Sequence, residues 1–291
     1  MAETKFMFGG DITQMMPASI YLEGDSDDYY QVDASGDAMN DVDTTGALMG
    51  WVMMADDTST MTAIGYGDAS VVEFIELNVE AGLLTCRCTD NTTAQFVTQA
   101  DGDRLKKHKW YHIAVVQRAD GTGPHLFING EEVDATHDTD TNVDAWFKAC
   151  AGIDTGRIGA ANKAGDDTIT QEWHGFIGPV RVYDDTEIKT DAQIKAIYDY
   201  ERRRVFENGQ DRIYSDSDDT TGLLNHWDMT DLVDAGSGAD NMTAVGGVTL
   251  GSGCCTFTSR LWFDGNIPVV ADDLCIAMNE TKGIAIHLDA A

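Results

Sequence analysis

The stretch "WYHIAVVQRADGTGPHLFINGEEV", Trp110 to Val133, alternates apolar and polar side chains over two short runs and turns twice at glycine. In an extended chain successive side chains point to opposite faces, so Ile113 and Val115 fall together, and Leu126 alternates with His125 and Phe127. Asn129-Gly130 offers two consecutive residues that tolerate positive φ, the requirement of a type I′ turn between tightly paired antiparallel strands. The stretch therefore reads as a β-hairpin closed by a second tight turn. Trp110, Ile113, Val115 and Ile128 are expected in a core.

The same rhythm extends outward in both directions. "ALMGWVMMA" (47–55), "MTAIGYG" (61–67), "VVEFIELNVEAGLLTCRC" (71–88), "TAQFVTQA" (93–100), "GRIGAAN" (156–162) and "WHGFIGPVRVYDD" (173–185) are short strand-like runs between turn clusters. Regular spacing of that kind predicts an all-β, antiparallel sandwich. One short helix is expected near the end of this region. Thr190-Asp191-Ala192-Gln193 fits a capping box, Ile194, Ile197 and Tyr198 form an apolar stripe, and Arg202 to Arg204 suit a helix C-terminus.

Charge narrows the partners. The 291 residues carry 50 acidic against 19 basic side chains, a formal net charge of −31. Of the acids 38 are Asp, a residue of turns and caps rather than helix interiors, which agrees with a loop-rich β protein. A field of that sign repels phosphate backbones and anionic lipid surfaces, so neither nucleic acid nor membrane is an expected partner. No apolar run is long enough for a membrane span, and the N-terminal residues lack the apolar core of an export signal. The six cysteines, at 86, 88, 150, 254, 255 and 275, match no zinc spacing and are expected as free thiols.

Five ordered motifs carry a resemblance. "YLEGDSDDYYQV" (21–32), "GALMGWVMM" (46–54), the opening hairpin, "GRIGAAN" and "WHGFIGPVRVYDDTEIKTDAQI" (173–194) together resemble the laminin-G-like, concanavalin A-like lectin/glucanase superfamily over about residues 20–200. The resemblance implies a jelly-roll of two antiparallel sheets. One departure is that Gly178-Pro179 stands where relatives place an acidic pair; Pro donates nothing to a ladder and belongs at a strand start, an edge or a bulge. The division expected is an N-terminal arm (1–20), the sandwich (21–204), a linker (205–221) and a smaller β-rich segment (222–291). That last segment either begins a second domain, returns strands to the sandwich or pairs with a neighbouring subunit.

Some relatives cut sugars, which requires two carboxyls about 5–5.5 Å apart in retaining enzymes. Glu73 and Glu76 alternate onto opposite faces, Glu76 and Glu80 lie roughly 13 Å apart along an extended strand, and Glu131-Glu132 diverge at a turn. No catalytic residue is expected. His112 and His125 are expected to be structural. Calcium is the one cofactor the sequence nominates, at Asp25, Asp27 and Asp28, with "DDTST" (56–60) and "AGDD" (164–167) as rivals, because hard cations take clustered oxygen ligands. Tyr29, Tyr30, Tyr66 and Trp173 are the aromatic candidates for glycan contact.

Two functions fit these features. The first is a non-catalytic structural or display protein of a larger assembly, a virion protein such as a phage capsid decoration or fibre, with other protein subunits as partners and assembled in the cytoplasm. The second is a stand-alone carbohydrate-binding lectin-like module, assisted by calcium, with surface glycans as partners.

Overall fold

The computed structural model describes residues 19–24, 27–39, 42–206, 219–229, 231–246, 248, 250–251, 274–279 and 283–288. In chain order the first elements are β1 (Ser19–Glu23), β2 (Tyr29–Gln31), α1 (Asp33–Met39), β3 (Gly46–Met54), β4 (Thr60–Gly67), β5 (Phe74–Glu80), β6 (Leu83–Asp90) and β7 (Thr93–Arg104). Then come β8 (Trp110–Gln117), β9 (His125–Ile128), β10 (Glu131–Glu132), β11 (Ala135–Asp140), β12 (Thr155–Ile158), β13 (Ala161–Asn162), β14 (Ile169–Thr170) and β15 (His174–Tyr183). The chain continues through α2 (Asp191–Phe206), β16 (Leu223–Trp227), β17 (Thr243–Val245), β18 (Leu250–Gly251), β19 (Leu274–Asn279) and β20 (Gly283–Leu288).

Two eight-stranded antiparallel sheets make the sandwich. The first runs β10-β9-β8-β3-β15-β1-β18, with β16 also paired to β15; the second runs β11-β7-β6-β5-β4-β12-β2-β17. The core between them is built by alternation: Ile20 and Leu22 of β1, Leu48 and Val52 of β3, Ile75, Leu77 and Val79 of β5, and Ile113 and Val115 of β8 are all at most 1% exposed. Full burial of each such side chain contributes roughly 1.5–3 kcal/mol. The opening hairpin is where the pattern put it, with Ile113 opposite Ile128 and Val116 opposite His125. Asn129 and Gly130 take φ of 54° and 77°, the positive pair a type I′ turn needs.

Trp110 departs from its expected place. Its parity along β8 matches His112 rather than Ile113, so it lies half-buried on the outer face of the first sheet, 6.3 Å from the Phe176 ring. Gly178-Pro179 forms a bulge within β15, between Ile177 and Val180. The proline interrupts the ladder, and the neighbouring strand changes there: β1 pairs with β15 up to Ile177, and β16 takes over from Val180.

Helix α2 covers the outer face of the first sheet. Ile194 and Ile197 pack on Ala47, Met49, Ala114, Val116 and Phe127. The capping box is formed, with Gln193 N–H donating to Thr190 Oγ1 at 3.3 Å and Thr190 N–H to Gln193 Oε1 at 2.9 Å. Glu201, further along α2, accepts from Trp51 Nε1 at 2.8 Å and from Arg181 Nε at 2.5 Å, tying the helix to β3 and β15. The sequence predicts one helix; α1 is a second. "DASGDAM" looks like a turn because of its Asp and Gly content, and its first turn is held from afar, by Ser35 N–H donating to Asp240 Oδ2 at 2.8 Å.

Beyond α2 the chain returns to the sandwich. β16 pairs with β15, β17 with β2 and β18 with β1, while β19 and β20 pair with each other. Asp234 fastens this return by accepting from Asn225 Nδ2, His226 N, Gly236 N and Asp240 N at 2.7–3.0 Å.

Candidate functional site

The outer face of the first sheet is covered by α2; the outer face of the second sheet is polar. On β5 the alternation that sends Ile75, Leu77 and Val79 inward turns Glu76, Asn78 and Glu80 outward. Register brings Thr62, Gly65 and Arg157 beside them from β4 and β12, and Arg87, Thr85 and Gln99 from β6 and β7. Tyr29 and Gln31 of β2 complete the row.

Part of this face is roofed by the β13–β14 hairpin, which lies across β4. Gly65 and Gly67 permit the approach: a Cβ on Gly65 would stand 2.6 Å from the Ala160 carbonyl oxygen, and one on Gly67 2.2 Å from that of Asn162. The hairpin delivers Lys163 and Gln171 to Glu76. Glu76, fully buried, accepts from Thr62 Oγ1 at 3.0 Å, Asn78 Nδ2 at 3.1 Å and Lys163 Nζ at 2.9 Å. With its amide nitrogen turned inward, Gln171 donates to Glu76 Oε2 and Thr62 Oγ1 at 3.0 Å while its oxygen accepts from Lys163 at 3.1 Å. A buried carboxylate is tolerable only with such company. Lys163 also stands over the Phe74 ring at 4.8 Å.

On the β2 side, Arg157 is 2% exposed and its guanidinium lies 5.2 Å from the Tyr29 ring centre. It donates to Asp33, to Asp167 Oδ1 at 2.9 Å and to the Gly156 carbonyl at 2.8 Å. Burial is the main cause that raises the Tyr29 phenol above its usual range, opposed by Arg157. Four buried polar atoms of this face, Asn78 Oδ1, Arg87 Nε, Arg157 Nε and Asn162 Oδ1, have no hydrogen-bond partner among the described residues. Tyr29, Gln31, Arg87, Gln99, Lys163 and Gln171 around them are half-buried and within reach from solvent.

The sequence candidates are distributed unevenly. Tyr29 belongs to this face. Tyr30, Tyr66 and Trp173 are at most 1% exposed and pack in the core, so their rings do not meet solvent; each sits at an inward position of its strand or strand entry. Asp25 lies outside the described residues. Asp27 is exposed at positive φ and Asp28 is 6% exposed. Among the described residues no three His, Cys, Asp or Glu side chains are gathered so as to hold a metal ion. The rival acids have local duties: Asp56 accepts from Thr58 and Ser59, whose hydroxyls hold its carboxyl down to about 2, and Asp167 pairs with Arg157. Glu73 accepts from Gly152 N at 2.6 Å, and Glu80 pairs with Arg87. His112 is buried beneath α2, where burial and then Arg181 hold its pKa down to about 3. His125 stays near the surface between Asp120 and Glu132. Lys163, Gln171 and Arg157 escaped the sequence reading because nothing in their local pattern says which sheet a loop will fold across.

No described helix is long and apolar enough to cross a membrane. The sequence model of the concanavalin A-like lectin/glucanases superfamily matches residues 24–195. No curated protein matches the chain. Among solved structures, the fold is similar to the CBM40 module of the Ruminococcus gnavus IT-sialidase bound to alpha2,3 sialyllactose. The identity is 15%, with 65% of this chain and 100% of that one covered at a TM-score of 0.51. It is also similar to part of the NanB sialidase from Streptococcus pneumoniae, at 14% identity over 72% of this chain and 31% of that one, TM-score 0.50. At such identities the likeness is one of fold.

Proposed function

Because the chain belongs to the concanavalin A-like lectin/glucanases superfamily, we propose that it is a carbohydrate-binding, lectin-like module that uses the polar outer face of its second sheet. One observation carries the placement: the half-buried amide, guanidinium and phenol side chains of Gln31, Gln99, Gln171, Arg87 and Tyr29 gather on a single face. Such groups donate and accept hydrogen bonds, as sugar hydroxyls do. Tyr29 supplies the aromatic surface and Gln31, Gln99 and Gln171 the directional contacts; a few such polar groups around an apolar patch are what fixes a small ligand.

The reading is non-catalytic. Contrary to the separation expected along an extended strand, the Glu76 and Glu80 carboxylates converge on Asn78 Nδ2, at 3.1 Å and 3.5 Å, but Lys163 and Arg87 engage them as ion-pair partners rather than leaving a free nucleophile and acid. The neighbouring carbohydrate-binding module, solved with a sialylated trisaccharide, supports a glycan ligand without specifying which. Assistance by calcium at Asp25, Asp27 and Asp28, and a place in a virion or other assembly, rest on the sequence features alone. Native mass tests the assembly: a monodisperse monomer removes it.

A glycan array probed with the full chain, followed by calorimetry on the strongest glycan, tests the proposal. Tyr29→Ala and Gln99→Ala are each expected to weaken binding roughly tenfold while the circular dichroism spectrum is unchanged. Tyr21→Ala, on the outer face of the other sheet, is expected to leave the affinity as it is. An array with no retained glycan overturns the reading, as does binding that follows Tyr21 instead. Repeating the titration after chelation decides whether calcium takes part.

A further inference from the structure

Cys88 and Cys150 lie 62 positions apart in sequence, yet their Sγ atoms are 3.3 Å apart. Cys88 is on the inward face of β6, in the second sheet, and Cys150 closes a turn in the connection from β11 to β12, its N–H donating to the Phe147 carbonyl oxygen at 3.0 Å. Both are fully buried, and the Cys150 thiol also approaches the Thr89 carbonyl oxygen at 3.5 Å. We propose that Cys88 and Cys150 are a disulfide-forming pair that joins under oxidising conditions and staples the β11–β12 connection to the second sheet. The pairing selects itself by position: Cys86, on the same face of β6, lies two residues away along the strand, about 6.6 Å from Cys88.

The staple has a structural consequence for the polar face. The segment it pins, with Trp146, Phe147 and Ile153 in the core, leads directly into β12, whose Arg157 anchors one side of that face. Gly152 N–H donating to Glu73 is at present its polar tether to the entry of β5.

The chemistry is thiol–disulfide exchange with a small disulfide such as oxidised glutathione. The thiolate of one cysteine attacks a glutathione sulfur, forming a mixed disulfide and releasing one glutathione thiolate. The thiolate of the other then attacks the protein-side sulfur of the mixed disulfide, forming the Cys88–Cys150 bond and releasing the second glutathione. The two cysteine protons end on the two released thiolates; the cysteines are oxidised and glutathione disulfide is reduced. In the folded chain the hydrogen bond to Cys88, then burial, push the Cys150 thiol far above its ordinary range, so exchange proceeds while the chain is folding or when the 141–154 segment lifts.

The experiment refolds the full chain from denaturant in a glutathione redox buffer and maps peptides without reduction. A linked pair of peptides containing Cys88 and Cys150, lighter than the free pair by two hydrogens, is expected, and Cys86→Ala is expected to retain it. The thermal midpoint of the oxidised form is expected to exceed that of the reduced form by on the order of 10 °C. Free thiols at both positions in a chain with a native spectrum overturn the proposal. Linkage of either residue to a different cysteine overturns it equally.

Discussion

Asp43 is 4% exposed and follows α1 in a position facing Asp184 and Asp185 at the end of β15. Burial, reinforced by these two like charges, pushes its carboxyl up to about 7. A folded-state value above the ordinary 3.8 means that the protonated group favours the fold at low pH and that this contribution is lost as pH rises through about 7. Asp43→Asn removes the charge and keeps the shape. The variant is expected to match the native chain near pH 4 and to be more stable by roughly 1–3 kcal/mol at pH 8.5, read from urea denaturation at both pH values. An advantage of equal size at both would show that the charge is not its source. Sequence foresaw little here. Asp43 is one Asp among 38, and the neighbours that raise its pKa are 141 positions or more away. Trp110 is the converse, since its parity along β8 was in the sequence and only its size suggested a core position.

The β13–β14 hairpin owes its position to Gly65 and Gly67, which let the backbone of residues 160–162 touch β4. Gly67→Ala would place a methyl 2.2 Å from the Asn162 carbonyl oxygen, so the hairpin must move outward and take Lys163 from Glu76. The expected result is a loss of roughly 2–4 kcal/mol in stability together with weakened glycan binding, measured by denaturation and calorimetry on one preparation. The strands themselves were readable, because period-two alternation needs no knowledge of partners. The hairpin's landing place was not readable, because a glycine that admits another backbone looks in sequence like a glycine that makes a turn.

The whole chain carries a net charge of −31. Self-repulsion of that magnitude opposes the compact state and is screened by salt over a Debye length of about 10 Å at 0.1 M. Raising sodium chloride from 0.01 M to 0.5 M is therefore expected to raise the thermal midpoint by several degrees, on the order of 1–2 kcal/mol of stability. Sodium sulfate at matched ionic strength separates screening from ion-specific exclusion. A midpoint indifferent to both salts would place the acids in locally compensated contacts instead.

By itself, the sequence set the two-sheet architecture, the Asn129-Gly130 turn and the cap of α2, since each depends on residues adjacent in the chain. Folding alone selected the pairings across distance: β16, β17 and β18 returning to the sandwich, α1 held by Asp240, Cys88 against Cys150, and the ring of donors around Glu76. Alternation specifies which way a side chain points, but the identity of what it meets depends on strand order and loop path, which local pattern does not encode.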